Sequence, residues 1–205
     1  MNKIGTRNLQ TDRLDLRVPT MNEQKRLWEI LMLEEIRKYY LTIPKSRREK
    51  MLSWEIQEPF YQDKVNHAKD DDTFDWSIFL RGTDVCIGKI SLHQAKVEFD
   101  EEENESNRGL GWYLDPKYQG MGYMKEAASK VLEYMFNEVD INKIITSTAL
   151  NNYSSWYLME KLGFVYTGQN KYVEHTFEDA PSLNKIYELT REQYCKNNGI
   201  SKKIK

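Results

Sequence analysis

Gln119-Gly120-Met121-Gly122-Tyr123-Met124 follows a strand-like run ending at Leu114 and opens into a stretch of helical apolar periodicity. A glycine-punctuated turn from strand to helix is a place where a protein can hold a phosphate group. The first turn of a helix carries N–H groups with no partner inside the helix, and the summed peptide dipoles leave roughly half a positive charge there. Glycine lets the backbone approach an anion without a Cβ in the way. The spacing matches neither a P-loop, which ends in Lys-Ser/Thr, nor GxGxxG. Alone, the turn points to a ligand that carries a diphosphate and no further.

Downstream, Ala128, Val131, Leu132 and Met135 form the inward face of a helix running through Phe136. Lys143–Ala149 reads as a strand, and Ser154–Leu162 as a short helix closed by Gly163, a natural left-handed residue after a helix end. Phe164–Gly168 and Lys185–Leu189 read as strands, Thr190–Cys195 as a terminal helix, and the polar residues from Lys196 onward as a frayed tail. Upstream, Arg108–Leu114 has strand character with Gly109 and Gly111 inside it; such glycines mark a bulge or a close approach by backbone or ligand. Phe74–Leu80 and Val85–Leu92 read as a hairpin about the turn Arg81–Asp84. Asp12–Arg17 alternates as a strand does, with Leu14 and Leu16 on one face.

Thr20 with Glu23, and Ser46 with Glu49, are capping-box signatures ahead of two early helices, the second of which Pro59 should end or kink. Asp70–Asp72 and the acidic run Asp100–Glu105 read as solvated loops. Trp54, Phe60, Tyr61 and Trp76 are either core or a ligand-facing aromatic surface, and spacing favours core. The pattern predicts an α/β (α+β) sandwich of one mixed sheet with helices on its faces.

Composition narrows the function class. The 205 residues are expected to form a single domain, with a core over residues 11–195. Thirty Lys and Arg against 32 Asp and Glu give a net charge of −2, which argues against a general nucleic-acid or membrane-surface binder. No apolar run approaches the ~20 residues that cross a bilayer, and the charged N-terminus is unlike a signal peptide. Cys86 and Cys195 lie far apart without metal or redox spacing, so free thiols in a cytoplasmic protein without a metal are expected.

The order of bulged strand, glycine turn, helix, strand, Asn-x-x-Ser helix and Glu-Lys-Leu-Gly-Phe resembles the GNAT superfamily of N-acetyltransferases, especially the branch holding the ribosomal-protein N-terminal acetyltransferases. Gly111–Tyr123 followed by Glu126-Ala127 is similar to that branch's acetyl-CoA motif, Met159–Phe164 to its second block, and Thr11–Arg17 to its usual opening. The resemblance implies a mostly antiparallel central sheet in which two neighbouring strands, here Arg108–Leu114 and Lys143–Ala149, splay apart to admit acetyl-CoA. It further implies that the backbone of Trp112, Tyr113 and Leu114 pairs with the pantetheine arm. Trp112 N–H is then the donor to the thioester carbonyl. The amides of Gln119, Gly120, Met121, Gly122, Tyr123 and Met124 are implied to take the pyrophosphate, although the family favours a small residue where Met124 stands. Asn152 and Ser155 match the branch's Asn-x-x-Ser, with contact to the pantetheine and the departing thiol implied. The residues alone allow a plain helix cap at Asn152 or Ser154.

The proton-transfer groups are less legible. Met159 stands where many relatives carry a tyrosine acid, which leaves Ser155 or a water; Tyr157, two residues earlier, falls on another helical face. Gly109 stands where branch members often carry a glutamate base. Glu98, Glu105 and His93 are near enough in sequence to consider, and His93 reads first as a structural strand-end residue. At pH 7 an α-amine is neutral in roughly one molecule in ten and a lysine amine in fewer than about one in a thousand. A water relay serving a low-pKa amine is therefore expected, with no carboxylate essential. The expected reaction is direct attack of a primary amine, protein N-terminal or small and cationic, on acetyl-CoA in a ternary complex of a monomer or homodimer. The alternative is a CoA-binding sensor or scaffold without turnover.

Overall fold

In the computed structural model, which describes residues 1–40, 45–95, 104–173 and 182–200, strand-forming segments gather into one sheet. The strands are β1 (Leu9–Gln10), β2 (Leu14–Arg17), β3 (Phe74–Leu80), β4 (Cys86–Gln94), β5 (Asn107–Leu114), β6 (Lys143–Ala149), β7 (Val165–Val173) and β8 (Ser182–Thr190). Their order is β1-β2-β3-β4-β5-β6-β8-β7, and every neighbouring pair is antiparallel except β5 with β6. Two parallel strands need a crossover. Here it is α5 (Tyr123–Tyr134), continued by a π-helical turn at Met135–Val139.

The alternation of side chains along β5 sorts the helices to the two faces. Leu110 and Leu114 join the cluster holding Met124, Ala127, Ala128, Val131 and Leu132 of α5, whereas Tyr113 joins Leu27, Ile30 and Leu31 of α1 (Met21–Met32) and Ile36 of α2 (Glu34–Tyr40). Successive side chains of a strand point to opposite faces, so α5 covers one face and α1–α2 the other. The Thr20–Glu23 box starts α1, with Glu23 Oε1 accepting the Thr20 N–H at 2.8 Å and Oε2 the Thr20 hydroxyl at 2.6 Å. Residues before Thr11 also belong to the packed body: Met1 and Ile4 pack against the main core, and Asn2 N–H donates to Val139 O at 2.5 Å.

Three local expectations change. Pro59 lies inside α4 (Trp54–Asn66), which runs on past it. One lost backbone bond is outweighed because Trp54 and Tyr61, either side of the proline, are buried with their rings 5.5 Å apart and Trp54 packs on Trp28 of α1. Ser46 lies within α3 (Lys45–Met51) and not at its cap. The β4–β5 register is unbroken from Gly88↔Leu114 to Gln94↔Arg108, so Gly109 and Gly111 mark no bulge. The irregularity instead falls between Ile78 and Phe79, in the β3–β4 pairing.

Candidate active site

Hydrogen-bond parity fixes which backbone groups of β5 are left over. Ala95 N–H donates to Asn107 O and Asp115 N–H to Ile87 O, so the odd-numbered residues of β5 exchange their bonds with β4. The even-numbered ones, Trp112 among them, turn their N–H and C=O toward β6. On that side the ladder holds only Asn107↔Lys143 and Arg108↔Ile144 and then stops. Beyond it, the Thr146 hydroxyl donates to Leu110 O at 2.8 Å, and the strands diverge. On the far wall, Leu150 N–H donates to Leu183 O and Arg191 N–H to Asn142 O, so the even residues of β6 serve β8. Ile145, Ser147 and Ala149 therefore turn their backbone groups back toward β5. The result is a wedge with polar backbone on both walls.

The wedge opens onto the glycine turn. Gly120 and Gly122 hold φ of 75° and 81°, left-handed conformations that favour glycine. Glu126 N–H is the first to bond back along α5, to Gly122 O at 3.1 Å. The N–H groups of Tyr123, Met124 and Lys125 precede any intrahelical acceptor. Met124, 8% exposed, packs with the core and also borders the cleft. Gln119 differs from the rest of the expected set. Its N–H already donates to Pro116 O at 3.2 Å, and its side-chain amide to Leu114 O at 3.0 Å.

Two residues hold this turn that the sequence alone did not single out. Arg13 donates to Met121 O at 3.0 Å, pairs with Glu126 at 2.7 Å and lies 4.5 Å over the Tyr123 ring. Burial pushes the Glu126 carboxyl up, and the Thr11 hydroxyl, the Arg13 N–H and the Arg13 guanidinium outweigh it, leaving the group below its usual range. Asp115, buried at the end of β5, accepts Lys117 N–H at 2.9 Å and meets Arg26 of α1. A strand followed by Asp-Pro was the available signal, since Asp ahead of Pro starts a capped turn.

Wedge and turn form one cleft of about 1280 Å³. Trp112, Tyr113, Leu114, Gln119, Gly120, Gly122, Tyr123, Met124, Asn152 and Ser155 all line it, though Tyr113 spends its backbone bonds on β4 and so does not pair with the pantetheine arm as expected; of the residues expected to touch the cofactor, Met121 alone does not line it. Asn152 precedes α6 (Tyr153–Lys161) without a side-chain cap bond to the helix, and its Oδ1 accepts from the Ser154 hydroxyl at 3.2 Å. Met159, 3% exposed and packed in the core, borders the cleft, as does the exposed Tyr157. Lys125, Lys161 and Lys171 bring positive charge to the lining, and α2 contributes Glu35, Ile36 and Tyr39.

The base candidates separate. Glu98 lies outside the described residues. Glu105 is exposed ahead of β5 and does not line the cleft. His93 does line it, directly across from Gly109. Trp54, Tyr61 and Trp76 are buried, Phe60 is exposed, and none of the four reaches the cleft. Among the described residues no group of three His, Cys, Asp or Glu could hold a metal, and no helix is long and apolar enough to cross a membrane.

This cleft, between two parallel strands that part above a glycine turn, defines the class. The chain belongs to the acetyltransferase (GNAT) domain family, which matches residues 13–165. It is 35% identical over 99 residues to the uncharacterized N-acetyltransferase YnaD of Bacillus subtilis (strain 168), covering 48% of this chain and 54% of YnaD. The first two curated relatives are each matched over less than two thirds of their own length, 54% and 65%. Among solved structures, a GNAT-family acetyltransferase from Bacillus anthracis superposes with a TM-score of 0.68 at 24% identity, over 91% of this chain and 99% of that one. RimL, a ribosomal L7/L12 alpha-N-protein acetyltransferase solved with coenzyme A, gives 0.71 at 16% identity, over 90% and 98%. At these identities the two structures show the shared fold.

Proposed function

We propose that the protein transfers an acetyl group from acetyl-CoA to a primary amine, by direct attack in a ternary complex. The observation that carries this is the β5–β6 wedge, with Trp112 N–H turned into it and the first turn of α5 at its open end. An extended pantetheine arm fits such a gap as an added strand, which supplies main-chain hydrogen bonds. The amides of Gly120 through Lys125 suit a pyrophosphate, helped by the lysines of the lining. The neighbour solved with coenzyme A supports the same donor here. When bound, the thioester supplies an activated acyl group. Trp112 N–H would meet the charge that grows on its carbonyl oxygen, and Asn152 and Ser155, which line the cleft, would contact the sulfur side, with Ser155 as the candidate donor to the departing thiolate. Among the carboxylates expected from the sequence, Glu105 is a weak base candidate because it stands outside the cleft.

The acceptor is a protein α-amine or a small cationic amine. Glu35 and Tyr39 of α2 give the α1–α2 side of the cleft a carboxylate and an aromatic ring for a cation. The likeness to an alpha-N-protein acetyltransferase supports the first acceptor. We take residues 1–205 as a single domain acting in the cytoplasm as a monomer or homodimer. Thiol release from acetyl-CoA over a panel of N-terminal peptides, polyamines and aminoglycosides tests the reading. Release with at least one amine is expected. Tight CoA binding with no release on any amine would instead make this a sensor or scaffold, the reading that the buried Met159 favours.

A further inference from the structure

We infer that His93 is the group that receives the acceptor's proton, an inference that rests on the acetyl-transfer reading above. His93 on β4 stands directly opposite Gly109 on β5. A Cβ placed on Gly109 would meet His93 Nε2 at 2.3 Å and both neighbouring ring carbons at 2.9 Å. The imidazole therefore lies against the bare Cα of Gly109, in space that any side chain at 109 would need. That explains the glycine: it makes a notch, and the notch holds the ring at the narrow end of the cleft.

The notch is on the face that carries Tyr113, α1 and α2, opposite the α5 face. Gly111 lies on the same face, between the notch and Trp112. From His93 to the Trp112 N–H the strand thus offers a track with no side chain standing on it. Trp112 is three residues from Gly109, about 10 Å along the strand. An amine poised about 3–3.5 Å from a carbonyl carbon held at Trp112 leaves room for one bridging water to the imidazole. The other titratable groups lining the cleft are Glu35 and Tyr39 of α2, Tyr113 of β5, Tyr118, Tyr123 and Lys125 about the glycine turn, Tyr157 and Lys161 of α6, and Lys171 and Tyr172 of β7. Nearest along the strands, Arg108 is engaged with Asp72 and Lys89 with Asp75.

The step balances as follows. The bound ammonium gives one proton through the water to the imidazole. The freed lone pair forms the C–N bond, and the C–S bond breaks with its electron pair going to sulfur. The second proton of the new amide nitrogen ends on that sulfur as thiol, and the imidazolium returns its proton to solvent.

The alternative is that His93 only fills the notch. Thiol-release kinetics across pH 5.5–9.5 on wild type, His93→Gln and His93→Ala separate the two, alongside calorimetric CoA binding. Wild-type kcat/KM is expected to show two breaks, the lower from the imidazole and the higher from the amine itself. His93→Gln should bind CoA as wild type does, lose the lower break and fall by at least about a hundredfold. Added imidazole should restore part of the His93→Ala rate. Gly109→Ala, which displaces the ring without removing it, should slow the reaction and keep a lower break. A His93→Gln rate within a few-fold of wild type, with both breaks kept, would overturn the inference and leave acetyl transfer standing. Wild type that binds CoA but releases no thiol would overturn acetyl transfer, and this inference with it.

Discussion

The Thr146 hydroxyl donates to the Leu110 carbonyl at 2.8 Å, just beyond the last backbone pairing of β5 with β6. Both residues are buried, at 6% and 5% exposure. This single bond pins the strands where the wedge begins, and it satisfies a carbonyl that the parting strands would otherwise leave buried without a partner.

Thr146→Val keeps the shape and removes the donor. Leaving Leu110 O unsatisfied should cost about 1–3 kcal/mol of stability, read from chemical denaturation. CoA affinity should fall as well, because one wall of the cleft is no longer pinned.

Gly120→Ala and Gly122→Ala test the turn. Nothing lies within 4 Å of a Cβ at Gly120, and at Gly122 only the Arg13 guanidinium tip does, at 3.4 Å. The cost is therefore backbone strain at positive φ, about 1–2 kcal/mol each. Calorimetry should also show weaker CoA binding, since relaxing φ turns the amides away.

Glu126 predicts a dependence on acid. Its folded carboxyl is held below the usual value of 4.5, so its stabilisation is present above about pH 4.5 and lost as pH falls through the depressed folded value. The melting-temperature gap between wild type and Glu126→Gln should be full at pH 7 and shrink only as pH falls below about 4.5. A gap that widens on acidification would contradict the assignment.

Cys86 should be inert. Burial pushes its thiol up to about 12, whereas Cys195 is partly exposed. Iodoacetamide at pH 8 should label Cys195 in the native protein and Cys86 only after unfolding, by peptide mass.

Local patterns in the sequence carried the turn and most elements. Gly120 and Gly122 marked the turn, and Thr20–Glu23 and Gly163 marked helix ends, because each depends on residues close in the chain. The Arg13 brace on Met121 spans 108 residues, and no spacing rule reaches that far. Pro59 does not end α4, because tertiary burial of Trp54 and Tyr61 overrides a local penalty. Of the bulge and the close approach that Gly109 signalled, the structure has the close approach, by the ring of a residue on the next strand. Spacing favoured core for Trp54 and Tyr61 over a ligand-facing surface, and both are buried. At the cleft, α2 supplies Glu35 and Tyr39 instead.

The proposed CoA site joins the β5–β6 wedge to the first turn of α5. Residue-resolved amide hydrogen exchange with and without saturating CoA tests it most directly. The amides of Trp112, Tyr123, Met124 and Lys125 should slow by about tenfold or more, with little change on β1–β3. CoA binding that leaves these four amides exchanging as before would contradict the account.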